Sequence, residues 1–109
     1  MRRAGRLTLR QFRYGTSSES VSYSASLYLD DVAVGTARND GNGGESILWI
    51  NPVHREAVEA WLASSVPEWI VLAMSEGGGW YSRSAFPRSL ETVVDLLAEG
   101  ATFPEGFGQ

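Results

Sequence analysis

A strict alternation of apolar and polar residues runs from position 20 to position 29 of the chain. Every odd position holds an apolar side chain: Val21, Tyr23, Ala25, Leu27 and Leu29. Serines fill the even positions as far as 26, and Tyr28 follows. Successive residues of a β-strand point to opposite sides of a sheet, and a helical repeat cannot reproduce this pattern. The stretch therefore predicts a strand with one buried face and one uncharged polar face.

Further strands are predicted on both sides of this one. The pair Asp30-Asp31 is typical of a tight turn, and residues 32–36 alternate again, which favours an antiparallel hairpin. Residues 7–9 alternate before it, and residues 47–50 form a short apolar strand after it. We expect four strands, connected in sequence as a meander.

Two helices are predicted after residue 50. Asn51 and Pro52 are typical of a helix start, and apolar residues then recur at helical spacing as far as Leu62. A second helix is predicted to begin near residues 87–89 and to end at Gly100. The apolar run at 69–74, which lies between the helices, is too short to distinguish a strand from a helical turn.

Strands followed by helices indicate an α+β domain, with an antiparallel sheet of about four strands and two helices packed on one face. A length of 109 residues fits one domain. We assign residues 1–100 to this domain and expect residues 101–109 to form a loosely docked tail. The apolar patterns also place Trp49 and Trp61 in the core.

The composition excludes several kinds of chemistry. The chain has no Cys, and so no disulfide, no Cys-ligated metal and no cysteine nucleophile. It has no Lys, which argues against the common metal-dependent nucleases, and its one histidine, His54, is expected to pack and not to catalyse. No apolar run approaches the ~20 residues that span a bilayer, and no signal peptide is recognisable. We expect a cytoplasmic protein that is not an enzyme, contacts no membrane, and uses no cofactor or metal.

The positive charge is concentrated at the start of the chain. Five of the nine basic residues precede the first acid: Arg2, Arg3, Arg6, Arg10 and Arg13. They are the best case for contacts with nucleic-acid phosphates. However, Arg6 and Arg10 do not alternate cleanly with Arg13, and Arg2 and Arg3 are expected on a frayed end. The later residues carry all 13 acids, which repel a polyanion, so this pattern disfavours nucleic acid and keeps it as the alternative partner.

Two segments are candidates for contact with a protein partner. The first is a loop rich in residues that tolerate positive φ, made of Asn39, Asp40, Gly41, Asn42, Gly43, Gly44 and Glu45. It has neither the Lys of a phosphate-binding loop nor the spacing of a calcium loop. It is either a partner contact or a hairpin loop whose polar side chains bond their own backbone. The second is a predicted loop with Trp80 and Tyr81, which either anchor an interface or cap the core.

The stretch from 25 to 44 reads ASLYLDDVAVGTARNDGNGG. It resembles a family of small uncharacterised bacterial, phage and plasmid proteins that share a strand, a turn with Asp and a G-x-x-x-NDG-x-GG loop. The loop pattern corresponds here to Gly35 through Gly44, and the helix at 93–99 is similar to the C-terminal helix of that family. The resemblance implies no activity, but it implies a setting on mobile elements.

We therefore expect a small non-enzymatic module that binds another protein. The mobile-element setting suggests an inhibitor of a host defence complex, such as CRISPR. A nucleic-acid accessory protein that uses the N-terminal arginines is the alternative, and a second copy of the chain is a further candidate partner.

Overall fold

The structure is a computed structural model, and it describes residues 2–16, 21–41, 46–76 and 80–109. Its strands and helices follow in chain order as β1 (Arg2–Ala4), β2 (Leu7–Thr16), β3 (Val21–Leu29), β4 (Val32–Asn39), β5 (Ile47–Ile50), α1 (Arg55–Ser65), β6 (Trp69–Glu76), β7 (Trp80–Pro87) and α2 (Leu90–Ala98). The first five strands form one antiparallel sheet in the order β1-β2-β3-β4-β5, and β6 pairs with β7 in a second sheet. The predicted α+β class is confirmed.

The sheet contains one strand more than the sequence predicted, because the residues assigned to a frayed end form β1. Arg2 pairs with Leu9 and Ala4 pairs with Leu7, which leaves a turn of two residues. Gly5 occupies that turn at φ 62, a conformation that glycine adopts at little cost. Pairing with β2 therefore turns a three-residue segment of low strand propensity into an edge strand.

The turn between β3 and β4 lies where it was predicted. Asp30 and Asp31 both have positive φ, at 51° and 66°, between the paired residues Leu29 and Val32. Two left-handed residues twist a hairpin in the sense that its strands require, and Asp tolerates this conformation better than most residues do. The Arg6 Nε donates a hydrogen bond of 2.8 Å to the Asp30 carboxylate, which ties this turn to the one after β1.

The alternation in β3 defines the two faces of the sheet. The inward residues Tyr23, Ala25, Leu27 and Leu29 are all buried. They join the buried residues of both helices, which include Trp61 and Val93, in a single core cluster. The helices thus lie against this inner face.

Trp49 contradicts the prediction that it belongs to the core, because 57% of it is exposed. It pairs with Thr36 on the opposite, outer face, whereas its neighbours Leu48 and Ile50 pack inward against the core. A run of four apolar residues in a strand places only alternate side chains on one face.

The predicted helix boundaries agree with the structure, with one local difference. The Asn51 side chain accepts a hydrogen bond from the Val53 N–H, but the first turn, Pro52–His54, is a 3₁₀ helix. Ser89 caps α2, and Gly100 follows it at φ 83. In the part of the chain that the structure describes, no helix has the length and apolar character needed to cross a membrane.

The segment between the helices is a β-hairpin. The ambiguous run at 69–74 belongs to β6, and the prediction of a loop at Trp80 and Tyr81 is wrong, since both lie in β7. Ile70 and Leu72 are buried, whereas Trp69 and Val71 are exposed.

Residues 101–109 are attached more firmly than the predicted loose docking. The Gly108 carbonyl accepts hydrogen bonds from the Arg6 N–H at 2.9 Å and from the Trp61 indole at 2.8 Å. Phe107 is 8% exposed and stacks on Phe103. The bond from Trp61 is buried, so the segment contacts the core at this point, although its composition resembles that of a flexible tail.

Candidate functional site

A β-bulge in β2 decides which arginines share a face. Arg10 pairs with Ser26 and Arg13 pairs with Ser24, with the register shift between them. Gln11 lies in this shift at φ 56. Residues three apart in a regular strand point to opposite faces, but the additional residue of a bulge restores them to the same face. The prediction that the N-terminal arginines do not gather on one face is therefore corrected for Arg10 and Arg13.

The face opposite the helices, which we call the outer face, combines arginines, hydroxyl groups and aromatic rings. Its residues, assigned from the strand register, are Arg3, Thr8, Arg10, Arg13, Ser22, Ser24, Ser26, Tyr28, Thr36, Arg38, Ile47 and Trp49. Three arginines of the predicted nucleic-acid site, Arg3, Arg10 and Arg13, belong to it. Arg38 joins them from β4.

A groove on the outer face lies between two of these arginines. Arg13 and Arg38 both pair with Ser24, one from each neighbouring strand. Adjacent strands are ~4.8 Å apart, so their Cα atoms are separated by about 10 Å. The open groove has a volume of about 470 Å³, and its side-chain lining includes Gln11, Ser26 and Thr36. Arginine side chains can reach across such a distance to one anion above the serine hydroxyl.

Arg13 and Arg38 are available for an external anion. Both are exposed, and within the described residues no carboxylate lies within ion-pair distance of either. Asp40, a predicted partner-contact residue, lines an adjoining open pocket together with these two arginines. Its carboxylate is an acidic group close to where an anion in the groove would lie.

Arg10 is held in place on the same face. It forms an ion pair with Asp31, and its guanidinium lies 4.2 Å from the centre of the Tyr28 ring. Its Nε also donates to the Thr8 hydroxyl at 3.3 Å. Asp31 therefore offsets part of the charge that this guanidinium brings to the outer face.

The remaining two N-terminal arginines have structural partners elsewhere. Arg2 points to the inner side, where it donates to the Leu97 carbonyl at 2.9 Å, and its guanidinium lies 4.6 Å from the centre of the Phe12 ring. A cation at the C-terminus of α2 is favourable for the helix dipole. Arg6 binds Asp30 and lowers the pKa of that carboxyl group through their hydrogen bond. The prediction of a nucleic-acid contact is therefore not supported at Arg2 or Arg6.

The glycine-rich loop is fixed at both of its described ends. The Asn39 side chain accepts a hydrogen bond of 2.9 Å from the Gly41 N–H, and Gly41 has φ 81. On the far side, the Ser46 N–H donates to the Asp95 carboxylate of α2 at 3.1 Å, and the Ser46 hydroxyl bonds both Asp95 and Tyr23. The predicted contact residues Asn42, Gly43, Gly44 and Glu45 lie outside the described residues. Asn39 thus bonds its own backbone, as the structural interpretation of the loop requires.

The structure places the other predicted contact residues, Trp80 and Tyr81, in a strand. Trp80 and Tyr81 pair with Glu76 and Ser75 in the β6–β7 hairpin, and their side chains lie outside the described residues. His54 is half-buried in the turn before α1. Among the residues that the structure describes, no three His, Asp or Glu side chains cluster as a metal site.

Sequence reasoning missed Arg38 and Trp49 as outer-face residues. The predicted β3–β4 hairpin contained the signal for Arg38. Arg38 is two residues after Thr36 in β4, so both lie on one face, and Thr36 pairs with Ser26 on the outer face. Comparison of the chain with family models, curated proteins and solved structures finds no match. The outer face is therefore interpreted from its own chemistry.

Proposed function

We propose that the protein binds nucleic acid through the outer face of its five-stranded sheet. The observation that carries the proposal is the bulge at Gln11, which brings Arg10 and Arg13 to the same face of the sheet as Arg3 and Arg38. Arginine and hydroxyl side chains are the groups that proteins most often direct at phosphates. The row of serines on β3 supplies such hydroxyls between the arginines.

Part of the acidic charge that gives the net charge of −4 lies away from the outer face. Glu56, Glu59, Glu91 and Asp95 belong to the helices, which lie against the other face of the sheet. A helix axis lies about 10 Å from the element on which it packs, and the Debye length is ~8 Å at physiological ionic strength. The helix acids are therefore screened from a ligand on the outer face.

The test is a titration of a fluorescently labelled oligonucleotide, followed by anisotropy at several salt concentrations. We expect the wild-type protein to bind and the affinity to fall as salt rises, because bound phosphates release counterions. The double substitution Arg13→Gln and Arg38→Gln should weaken binding and reduce the slope of log affinity against log salt by about 2, roughly one for each lost contact.

Arg55→Gln is the matched control, because Arg55 is exposed on α1 and lines a groove with the inward residues Leu48 and Ile50. It removes one charge without touching the outer face. Equal weakening by Arg55→Gln and by Arg13→Gln would show that only net charge matters, and absence of binding at low salt would exclude the proposal.

A protein-binding module is the second candidate, and the exposed apolar side of the β6–β7 hairpin favours it. Trp69 is 57% exposed and Val71 is 45% exposed, two residues apart on one face. Their cross-strand partners are Pro87 and Ala85, which are also exposed. Exposed aromatic and aliphatic groups next to each other are typical of interfaces. The resemblance to proteins of mobile elements suggests a host defence complex as the partner.

Affinity capture from nuclease-treated lysate separates the two candidates. A protein-binding module should retain a specific partner after nuclease treatment and lose it on Trp69→Ser and Val71→Ser, but keep it on Arg13→Gln and Arg38→Gln. A partner that disappears with nuclease treatment would instead support nucleic acid as the ligand.

A further inference from the structure

We infer that the outer face contains a nucleotide subsite that selects single strands, with a phosphate held by Arg13 and Arg38 above Ser24 and a base stacked on Trp49. The inference rests on the proposed function and names its substrate class. Single-stranded DNA and RNA share the chemistry that this subsite recognises.

The exposed indole of Trp49 is the first reason. Tryptophan is usually well buried, yet 57% of Trp49 is exposed on a face whose other side chains, apart from Ile47, carry guanidinium or hydroxyl groups. Its neighbour on this face, Ile47, is 50% exposed, so the two form a small apolar area beside the groove. Aromatic rings beside basic groups are the platforms on which proteins stack unpaired bases.

The strand register supplies the spacing. Arg38 pairs with Ile47, and Trp49 lies two residues further along β5 on the same face. Diagonal neighbours of this kind are about 7–8 Å apart. Ser24 lies one strand further from Trp49 than Arg38 does, roughly 12 Å away by strand spacing. The phosphate above Ser24 and the base on the Trp49 ring are therefore contributed by adjacent nucleotides of one strand.

The same geometry disfavours a duplex. Bases in a double helix stack on each other and expose only their edges, so that Trp49 could not reach a ring face. A duplex on the outer face would be held by its phosphates alone. Since Trp49 adds to the affinity only when a base is unstacked, a single strand gains an interaction that a duplex lacks.

The experiment compares an oligothymidine with an abasic oligonucleotide of the same length and phosphate number, and with a duplex, by anisotropy. Wild-type protein should bind the oligothymidine roughly tenfold more tightly than the abasic strand, the effect expected of one stacked base. Trp49→Ala should abolish this preference and leave the weaker abasic binding unchanged. Trp49→Phe, which retains a ring, should restore part of the preference.

The arginine double variant, Arg13→Gln with Arg38→Gln, should weaken binding of both oligonucleotides alike, which separates the phosphate contact from the base contact. An oligouridine titrated in parallel shows whether RNA is bound as well as DNA. Equal binding of the abasic and thymidine strands by wild-type protein, or tighter binding of the duplex, would overturn the subsite but leave the proposed function standing. Binding of none of these oligonucleotides at low salt would overturn both. The wild-type comparison needs no variant to fold.

Discussion

Gln11 lies at the point of β2 that determines which arginines share the outer face. Its φ of 56 lies in the left-handed region, which a residue other than glycine seldom adopts. Its side-chain oxygen accepts a hydrogen bond of 2.6 Å from Ser26 on the neighbouring strand, and this bond supports the bulge. If β2 were regular here, with the same residues and no bulge, Arg10 and Arg13 would lie on opposite faces and the groove would lose one of its two arginines.

Gly35, the first glycine of the G-x-x-x-NDG pattern, is required by the close approach of β5. A Cβ at this position would overlap the Trp49 carbonyl oxygen and lie 3.1 Å from the Ile50 Cα, and both are backbone atoms that cannot rotate away. We predict that Gly35→Ala lowers the free energy of unfolding by about 1–3 kcal/mol, the usual cost of overpacking. Urea unfolding measures this difference.

Gly15→Ala is the control for Gly35→Ala. An added Cβ at Gly15 meets only the side chain of Ser22, which can change rotamer. A Gly35→Ala protein no less stable than the Gly15→Ala protein would contradict the close approach.

Because of Tyr23, we expect the free energy of unfolding to depend on pH in the alkaline range. Burial raises the pKa of its phenol above 10.0; the hydrogen bond to Ser46 opposes this shift and the charge of Asp95 adds to it. The folded protein therefore keeps the proton at a pH where the unfolded chain loses it. The contribution of Tyr23 to the free energy of unfolding is fully present below about pH 10, the pKa of tyrosine in the unfolded chain. It is lost as the pH rises through the higher pKa of Tyr23 in the folded protein. We predict that the urea midpoint of the wild-type protein falls between about pH 9 and pH 11.

Tyr23→Phe removes the titrating group and should make the midpoint less dependent on pH in this range. The variant also loses the hydrogen bond to Ser46, which costs about 1 kcal/mol at every pH below the transition. A midpoint that falls equally in both proteins would assign the pH dependence to other groups.

At the scale of the elements, the segment at 101–109 behaves as part of the core. Phe107 packs on Phe103 with ring centres 4.5 Å apart, and the backbone beside it bonds Trp61. We predict that Phe107→Ala lowers the free energy of unfolding by about 3 kcal/mol, the usual cost of removing a buried ring. Glu105→Ala, at an exposed site in the same segment, should change it little, and similar effects of the two substitutions would indicate a loosely docked tail.

Elements with local signals were predictable, and those defined by a partner were not. In the β3–β4 hairpin, the alternation of apolar and polar residues and the turn residues lie within a short stretch of sequence. The residues that mark the start of each helical segment, Asn51 and Ser89, lie directly before it. By contrast, β1 and β7 have no comparable local pattern. Each is a strand because another strand aligns with it, so that Trp80 follows three glycines and still lies in a regular ladder.

At the scale of the whole molecule, four of the nine arginines belong to the outer face: Arg3, Arg10, Arg13 and Arg38. The candidate groove lies on this face, and Asp40 lines the adjoining pocket together with Arg13 and Arg38. A unit charge about 8 Å from an anion in water contributes about 0.5 kcal/mol. We predict that Asp40→Asn strengthens oligonucleotide binding about twofold at low salt and less at high salt. Anisotropy titration measures both affinities.

Glu56→Gln provides the comparison for Asp40→Asn, since it removes the same charge from an exposed position on α1. We expect no measurable effect on binding. An equal gain from the two substitutions would mean that the ligand responds to net charge and not to the groove.

The spacing of apolar residues and the turn-forming residues in the sequence were sufficient to predict the α+β class. They also predicted the inward residues of β3, the Asp30-Asp31 turn and the residues at the helix starts. These signals are local, because they arise from side chains a few residues apart. The outer face depended on tertiary structure. A single extra residue at Gln11 reversed the direction of the side chains that follow it, and the pairing of distant strands placed Arg13, Arg38 and Trp49 together. Strand register is a long-range property, and a shift of one residue exchanges the two faces of a sheet.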